Sequence, residues 1–402
     1  MQRFIFTAGL GFGLALGTGD SVGAQQTVTL PTADKPLPIE FAPVFTIGTD
    51  DGEAWEMFAR VIAVAFDAED NLYVLDQEDP RVVVFDARGN YVRTVGRRGP
   101  GPGELQMPTA LTVLRDGSIV VGDWDRGAYS IWDRAGKFIR SVQFGSMDAA
   151  PTLNGLAGAQ QILLVRTHAG RAANQPDGHL PFFRFDLGTG KTTVALRLDP
   201  PVDEQQTRVE TGAGSATMRR TALPTFSPTP LMAGFSDGTM AASFSFDYVV
   251  RIAGSSGERT IQRAITPRKV TTADRNRALR ERREALERDG LLSYRLSGGV
   301  ASRNHRKLSP AEIDQRLNAI QFTSTIPVIH GLIVDGRDVL WIARTPHAGK
   351  STSPIDLVGA DGTYIGTIPD AKLPAAVSRT GLAAYIETHG DGYQQIVVKR
   401  AG

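Results

Sequence analysis

The chain contains no cysteine. Disulfides, thiolate metal sites, cysteine nucleophiles and lipid attachment through an N-terminal cysteine are therefore excluded. It also lacks an excess of either charge: 44 basic and 43 acidic side chains leave a formal net charge of +1. That balance argues against a dedicated nucleic-acid binder and gives no reason to invoke an anionic membrane surface. Beyond the N-terminus, no stretch approaches the ~20 apolar residues needed to span a bilayer. Six histidines are present, and none forms H-E-x-x-H or another tight metal-binding spacing.

The hydrophobic content of 41% makes a packed core feasible, and 43 glycines with 23 prolines suit a protein of many turns. The first 24 residues read as a secretory signal. Arg3 supplies a thin positive region, Phe4 to Leu16 is apolar, and Val22-Gly23-Ala24 places small residues before Gln25. The expectation is a mature chain exported to the periplasm or the medium of a bacterium, with 25–38 as an N-terminal linker. Without disulfides, such a domain depends on core size alone.

Residues 48–145 contain one pattern written twice, 47 residues apart. Leu72-Tyr73-Val74-Leu75-Asp76 becomes Ile119-Val120-Val121-Gly122-Asp123, and Val84-Phe85-Asp86 becomes Ile131-Trp132-Asp133. Gly89-Asn90-Tyr91-Val92 becomes Gly136-Lys137-Phe138-Ile139. Short apolar runs and Gly/Asp turns at such a period mark a stacked β architecture. Each unit divides into four short strands, which is one propeller blade. Weaker copies occupy 155–198, 226–266 and 324–369, while 373–400 holds only three strands. Ile39–Ile47 supplies the missing strand, so the two chain ends close one blade together and remove a free sheet edge. The predicted fold is an all-β, six-bladed β-propeller over 39–402.

Two stretches break the period. Residues 199–223 read as a polar loop insertion. Residues 269–322 read as a helical insertion between blades four and five. Within it, Ala273–Arg288 is a charged helix with Leu279 and Leu286 on one face, and Leu291 and Leu292 as further docking residues. Ser309-Pro310-Ala311-Glu312 is a capping box opening a second helix. Both insertions connect the last strand of one blade to the first of the next, which places them over one mouth of the central channel. Long non-repeating loops on one face of a repeat scaffold often carry function.

The paired units resemble NHL-type repeats of six-bladed β-propellers. The rhythm runs as Gly99-Pro100-Gly101-Pro102-Gly103-Glu104-Leu105, then Asp116-Gly117, Asp123, Asp133 and Gly136. Blades one and two carry it, about a quarter of the chain. The resemblance implies the propeller. Its members include binding scaffolds, sugar-lactone hydrolases and metal-dependent lyases, and fold alone does not choose among them.

Several motifs have a plain reading. Gly234-Phe235-Ser236-Asp237-Gly238 matches G-x-S-x-G, but a strand follows it where a nucleophile elbow needs a helix, so it reads as a hairpin turn. Arg97 to Gly103 has the look of an anion cradle, but its prolines remove donors, and a connector is the better reading. Asp67, Asp70 and Asn71 resemble a calcium-loop fragment without the remaining ligands, and read as a turn.

One constellation stands out. The residues where the second strand of each blade exits are Asp76, Asp123, Arg166, Phe244, Arg344 and Glu387, with His168 and His347 just beyond the two arginines. A mixed-charge ring on the insertion-bearing face suits a polar or anionic ligand held by Arg166 and Arg344. In the structural alternative, Asp76 and Asp123 cap turns or pair with Arg81 and Arg126. The functional expectation is an exported binding module for a protein, a peptide or a small polar ligand. The alternative is a metal-dependent, lactonase-like hydrolase or lyase at the channel mouth. No cofactor is evident in the sequence, with calcium or zinc the metals that alternative would take.

Overall fold

The computed structural model describes residues 26–145, 156–159, 161–166, 179–199, 201, 224–297, 300–347 and 349–402. Residues 1–24, expected to be a signal segment, and nearly all of the 199–223 insertion lie outside the described residues.

Six sheets of four or five strands build a ring. The first blade is β3 (Val61–Phe66), β4 (Leu72–Asp76), β5 (Arg81–Phe85) and β6 (Tyr91–Val95). The second is β7 (Pro108–Val113), β8 (Ile119–Asp123), β9 (Ala128–Trp132) and β10 (Phe138–Gln143). The third runs from β11 (Leu156–Ala159) through β12 (Ile162–Arg166) and β13 (Leu180–Asp186) to β14 (Thr192–Leu198). The fourth is β15 (Leu231–Gly234), β16 (Met240–Ser243), β17 (Val249–Gly254) and β18 (Gly257–Gln262). The fifth is β21 (Ile329–Val334), β22 (Val339–Arg344), β23 (Ser353–Gly359) and β24 (Tyr364–Ala371). The sixth joins β25 (Ala376–Val377), β26 (Leu382–Thr388) and β27 (Gln394–Ala401) to β2 (Phe41–Ile47). In this last blade β2 pairs antiparallel with β27, Phe41 opposite Ala401 and Ile47 opposite Ile396. The expected closure by both chain ends is therefore present.

The core is not one centre but six layers between neighbouring blades. Side chains alternate across each strand, and both faces are apolar. On blade one, Tyr73, Leu75, Val82 and Val84 pack against Leu111, Ile119 and Val121 of blade two. The intervening Leu72, Val74, Val83 and Phe85 pack against Leu382, Ala384, Ile396 and Val398 of blade six. This is why the second and third strands read as unbroken apolar runs: each is buried on two sides. The fourth strands are outermost, and Tyr91, Val92, Ile139 and Val194 on them are exposed.

The N-terminal segment differs from a linker. Residues 26–29 form β1, which pairs in parallel with β18 on the outside of blade four. Residues 35–37 then bond to Thr367 on the outer strand of blade five, before β2 completes blade six. The segment thus covers three successive blade edges, whose open donors and acceptors are its physical reason for being ordered. Asp34, midway along, meets a buried cluster. Its carboxylate accepts from Arg263 Nη2 at 2.6 Å and from Arg344 Nη2 at 2.6 Å. Asp356 accepts from Arg263 Nη1 at 2.8 Å and Arg344 Nε at 3.0 Å. The Arg263 and Asp356 side chains are fully buried. Two cations facing two anions offset the desolvation that a lone buried charge would carry.

Between β18 and β21 lies the helical insertion. It holds α1 (Thr272–Asp289), a hairpin of β19 (Leu291–Ser297) and β20 (Val300–Arg306), and α2 (Pro310–Asn318). The hairpin was not legible as such; Leu291 and Leu292 belong to its first strand. Leu286 of α1 packs with Ile313 and Leu317 of α2 in a small cluster of their own. Both helices open with capping boxes, Thr271 with Asp274 and Ser309 with Glu312. Asp274 is buried and receives both Arg268 Nη1 at 2.6 Å and Arg268 Nη2 at 2.9 Å. The bond from Arg268, against the opposing effect of burial, holds its carboxyl well below the usual carboxylate range.

Two predictions follow from these ion clusters. Asp356→Ala leaves two buried guanidiniums sharing the partly exposed Asp34, and should lower unfolding free energy by about 3–5 kcal/mol in urea melts. Asp34→Ala should cost clearly less; equal losses would show that the cluster is not anchored by Asp356. Asp274→Asn should cost about 1.5–3 kcal/mol at neutral pH. Because the folded pKa of Asp274 is depressed, its contribution is complete above its unfolded value near 4 and fades as pH falls towards the folded value. The gap between wild type and Asp274→Asn should therefore narrow in acid, and a gap independent of pH would contradict the assignment.

Candidate functional site

The first strand of every blade faces the axis. β3 neighbours β7, β7 neighbours β11, and so on through β15 and β21 to β25, which returns to β3. They enclose a channel of two chambers. One, of about 820 Å³, lies at the end where first strands turn into second strands. The other, of about 460 Å³, lies towards the end where first strands begin, which is the side the helical insertion enters. The chambers share Val64, Leu111, Gly234, Ile333, Val334 and Ala375 as wall residues, so they are continuous.

The residues of the expected ring separate into different roles. Asp76 is fully buried and accepts backbone N–H groups of Ala59 at 2.9 Å and Arg60 at 2.8 Å. Asp123 does the same for Gln106 at 2.7 Å and Met107 at 3.0 Å. Each aspartate thus fastens the connector leading into the first strand of its own blade, and each also accepts from a turn N–H just after its strand, Asp79 at 3.4 Å for Asp76 and Arg126 at 3.2 Å for Asp123. Arg81 stands 3.9 Å from Asp76, a looser contact than the backbone bonds. Arg344 is engaged by Asp356 and Asp34 between blades four and five. His347 is exposed just past β22, where its carbonyl accepts from Lys350. Glu387 pairs with Lys372 at 3.3 Å. His168 lies outside the described residues.

Arg166 lines the smaller chamber. It is half-buried and donates from Nη1 to the Pro230 carbonyl on the connector entering β15. Desolvation lowers its pKa from the ordinary guanidinium value. His330, at the start of β21, lines the same chamber. Its imidazole is open to the channel yet ringed by protein, and desolvation lowers its pKa, opposed by hydrogen bonds with the backbone around Ala343 and Arg344. The rest of this wall is largely aliphatic, with Ile62, Leu231, Met232, Leu332, Leu373 and Ile386. His330 was not singled out among the six histidines because it sits at the start of a first strand, whereas the ring was read from the exits of second strands.

The motif readings resolve in the same way. Residues 235–239 are a hairpin turn, with Phe235 N–H donating to Thr239 O at 2.9 Å and Gly238 at φ 86°. The Arg97–Gly103 segment fills its own cradle: Glu104 accepts from Gly101 N–H at 2.7 Å and from Arg97 Nε at 2.8 Å. The Gly101 bond, first among the causes, lowers the Glu104 pKa. Asp67 accepts from Glu69 N–H, Asn71 N–H, the Asn71 amide and the Tyr73 hydroxyl, which leaves it a turn former. Burial, reinforced by Asp67, pushes the Tyr73 phenol up to about 12. Among the described residues, no group of three or more histidines and carboxylates is placed to hold a metal ion. No helix among them is long and apolar enough to cross a membrane.

Comparison with known proteins bears on the fold. No curated protein sequence matches the chain. Residues 59–123 match a family model, DUF5128, described as a 6-bladed beta-propeller. A DUF4221 family member from Bacteroides vulgatus is similar in structure, with 12% identity, 90% of this chain and 98% of that one covered, and a TM-score of 0.50. A putative exported protein from Bacteroides fragilis shows 12% identity, covers of 94% and 99%, and a TM-score of 0.47. Virginiamycin B lyase from Staphylococcus aureus shows 10% identity, covers of 89% and 88%, and a TM-score of 0.39. The family model and the ring of sheets above establish a six-bladed β-propeller with a helical insertion.

Proposed function

We propose that the protein is an exported binding module that takes a small polar, anionic ligand into the channel from the insertion-bearing face. The observation that carries this reading is Arg166, a guanidinium held half-buried in the wall of the smaller chamber at the cost of desolvation. A charge kept in such a place is worth more to a ligand than one in open water, because the surrounding dielectric is lower. Its planar fork suits carboxylate or phosphate oxygens. The aliphatic wall around it suits the body of an organic ligand, the usual composition of a small-molecule site. His330 adds a donor or acceptor whose lowered pKa favours the neutral imidazole near pH 7. The connector between blades four and five, where the helical insertion lies, borders this entrance. The signal-like N-terminus supports export, and the repeat rhythm of blades one and two supports an NHL-type kinship.

The test is a thermal-shift titration of the purified protein against mono- and dicarboxylates and phosphate esters. At least one should raise the melting temperature saturably, and Arg166→Gln should weaken that ligand about tenfold or more, equivalent to about 1.4 kcal/mol. Stabilisation that survives Arg166→Gln undiminished would place binding elsewhere, provided the variant itself melts within a few degrees of wild type.

A further inference from the structure

The opposite mouth of the channel carries a second set of charges that the ligand chamber does not use. The turns between first and second strands ring the larger chamber, and three arginines stand on its rim: Arg115 from blade two, Arg337 from blade five and Arg379 from blade six. All three are exposed. The carboxylates among them are already engaged by the protein. Asp335 accepts from Arg337 N–H at 2.8 Å, Val339 N–H at 3.0 Å and the Trp341 indole at 3.2 Å, with Arg337 Nη2 also at 3.2 Å. Asp67 is held within its own turn, as above. Asp338 accepts from Ser236 N–H at 2.7 Å and from the Ser236 hydroxyl. Arg115 donates one bond, to the same Ser236 hydroxyl, and Arg379 has no ion-pair partner among the described residues. Most guanidinium donors on this rim therefore remain available, while the acid acceptors are taken.

Backbone contacts set the turns of Arg337 and Arg379 side by side. Gly336 N–H donates to Val377 O at 3.0 Å. A Cβ on Gly336 would lie 2.4 Å from Arg379 N, so the turns bearing Arg337 and Arg379 abut directly. Asp335 pairs with Arg337 alone of the two. On the other side, Asp338 sits at φ 61°, an uncommon conformation for a non-glycine residue. Both of its oxygens tie blade five to Ser236 of blade four, and Arg115 reaches the same serine from blade two, across the third blade.

We propose that this rim is an anion-binding site for a small molecule bearing two or more carboxylate or phosphate groups. It lies at the mouth of the channel opposite Arg166. Arg337 and Arg379 form one clamp, and Arg115 approaches from the far side of a cavity with room for an organic body. Guanidinium forks match oxyanions in pairs of hydrogen bonds, and a molecule with two anionic groups can engage arginines of different blades at once.

Calorimetric titration of the purified protein at low ionic strength tests this, with inorganic pyrophosphate and citrate as separate probes. Saturable binding of at least one is expected. Arg379→Gln should weaken it about tenfold and Arg337→Gln/Arg379→Gln should abolish it, whereas Arg288→Gln, removing one charge from the distant helix α1, should leave it unchanged. In the wild type, the bound probe should shield Arg337 and Arg379 from phenylglyoxal, read by peptide mass spectrometry. Absence of saturable binding by either probe, or affinity that persists in the double variant, would overturn the proposal. So would weakening by Arg288→Gln as large as that by Arg379→Gln, which would mark a general charge effect. Protection confined to Arg166 would instead place the probe in the other chamber.

Discussion

Every sheet in the ring presents apolar side chains on both faces, so no blade covers itself. Val74 needs blade six and Leu75 needs blade two, although they are adjacent in the chain. Burial of each such side chain contributes about 1.5–3 kcal/mol, but only while both neighbours are present. The ring must therefore close, and the antiparallel pairing of β2 with β27 is what closes it. The absence of disulfides places the whole of this task on interblade packing and on hydrogen bonds.

Closure explains where the charged residues went. A position at the exit of a second strand is ideally placed to fasten the connector entering its own blade, and Asp76 and Asp123 do so with two backbone bonds each. Arg344, at the equivalent place in blade five, is instead drawn outward by Asp356 and by Asp34 of the N-terminal segment. In blade three the exit residue, Arg166, lines the channel. Equivalent positions in a repeat thus carry different chemistry according to what the neighbouring segment supplies. The two channel mouths divide along the same line: one is bordered by connectors of variable length, the other by short turns that carry arginines.

The repeats of blades one and two were legible because their turns keep Asp and Gly in fixed places, with Gly89 and Gly136 both at positive φ. Blades three to five were legible through strand spacing and turns, with Gly362-Thr363-Tyr364-Ile365 of blade five also repeating Gly89-Asn90-Tyr91-Val92. The hairpin 291–306 was not, because its alternation is broken by polar residues on both strands. The N-terminal strand β1 was not either: Gln26-Thr27-Val28-Thr29 has strand-forming residues, but only the outer edge of blade four gives them a partner. For the site, a ring at the second-strand exits was a sound reading of period, yet it could not show which exits turn inward. Arg115, Arg337 and Arg379 escaped notice because each sits in a turn that looks like any other solvated turn.

The sequence by itself determined the β-blade period, the turns, the two helix starts and the need for a shared final blade, since these follow from local spacing and backbone preference. Tertiary structure alone decided which charges meet. Arg263 and Asp34 are far apart in the chain, as are Arg115 and Ser236, and they touch only because a closed ring carries distant blades to a common axis and a common edge. Electrostatic partnership depends on distance in space, and the linear order of residues holds no record of that until the circle is complete.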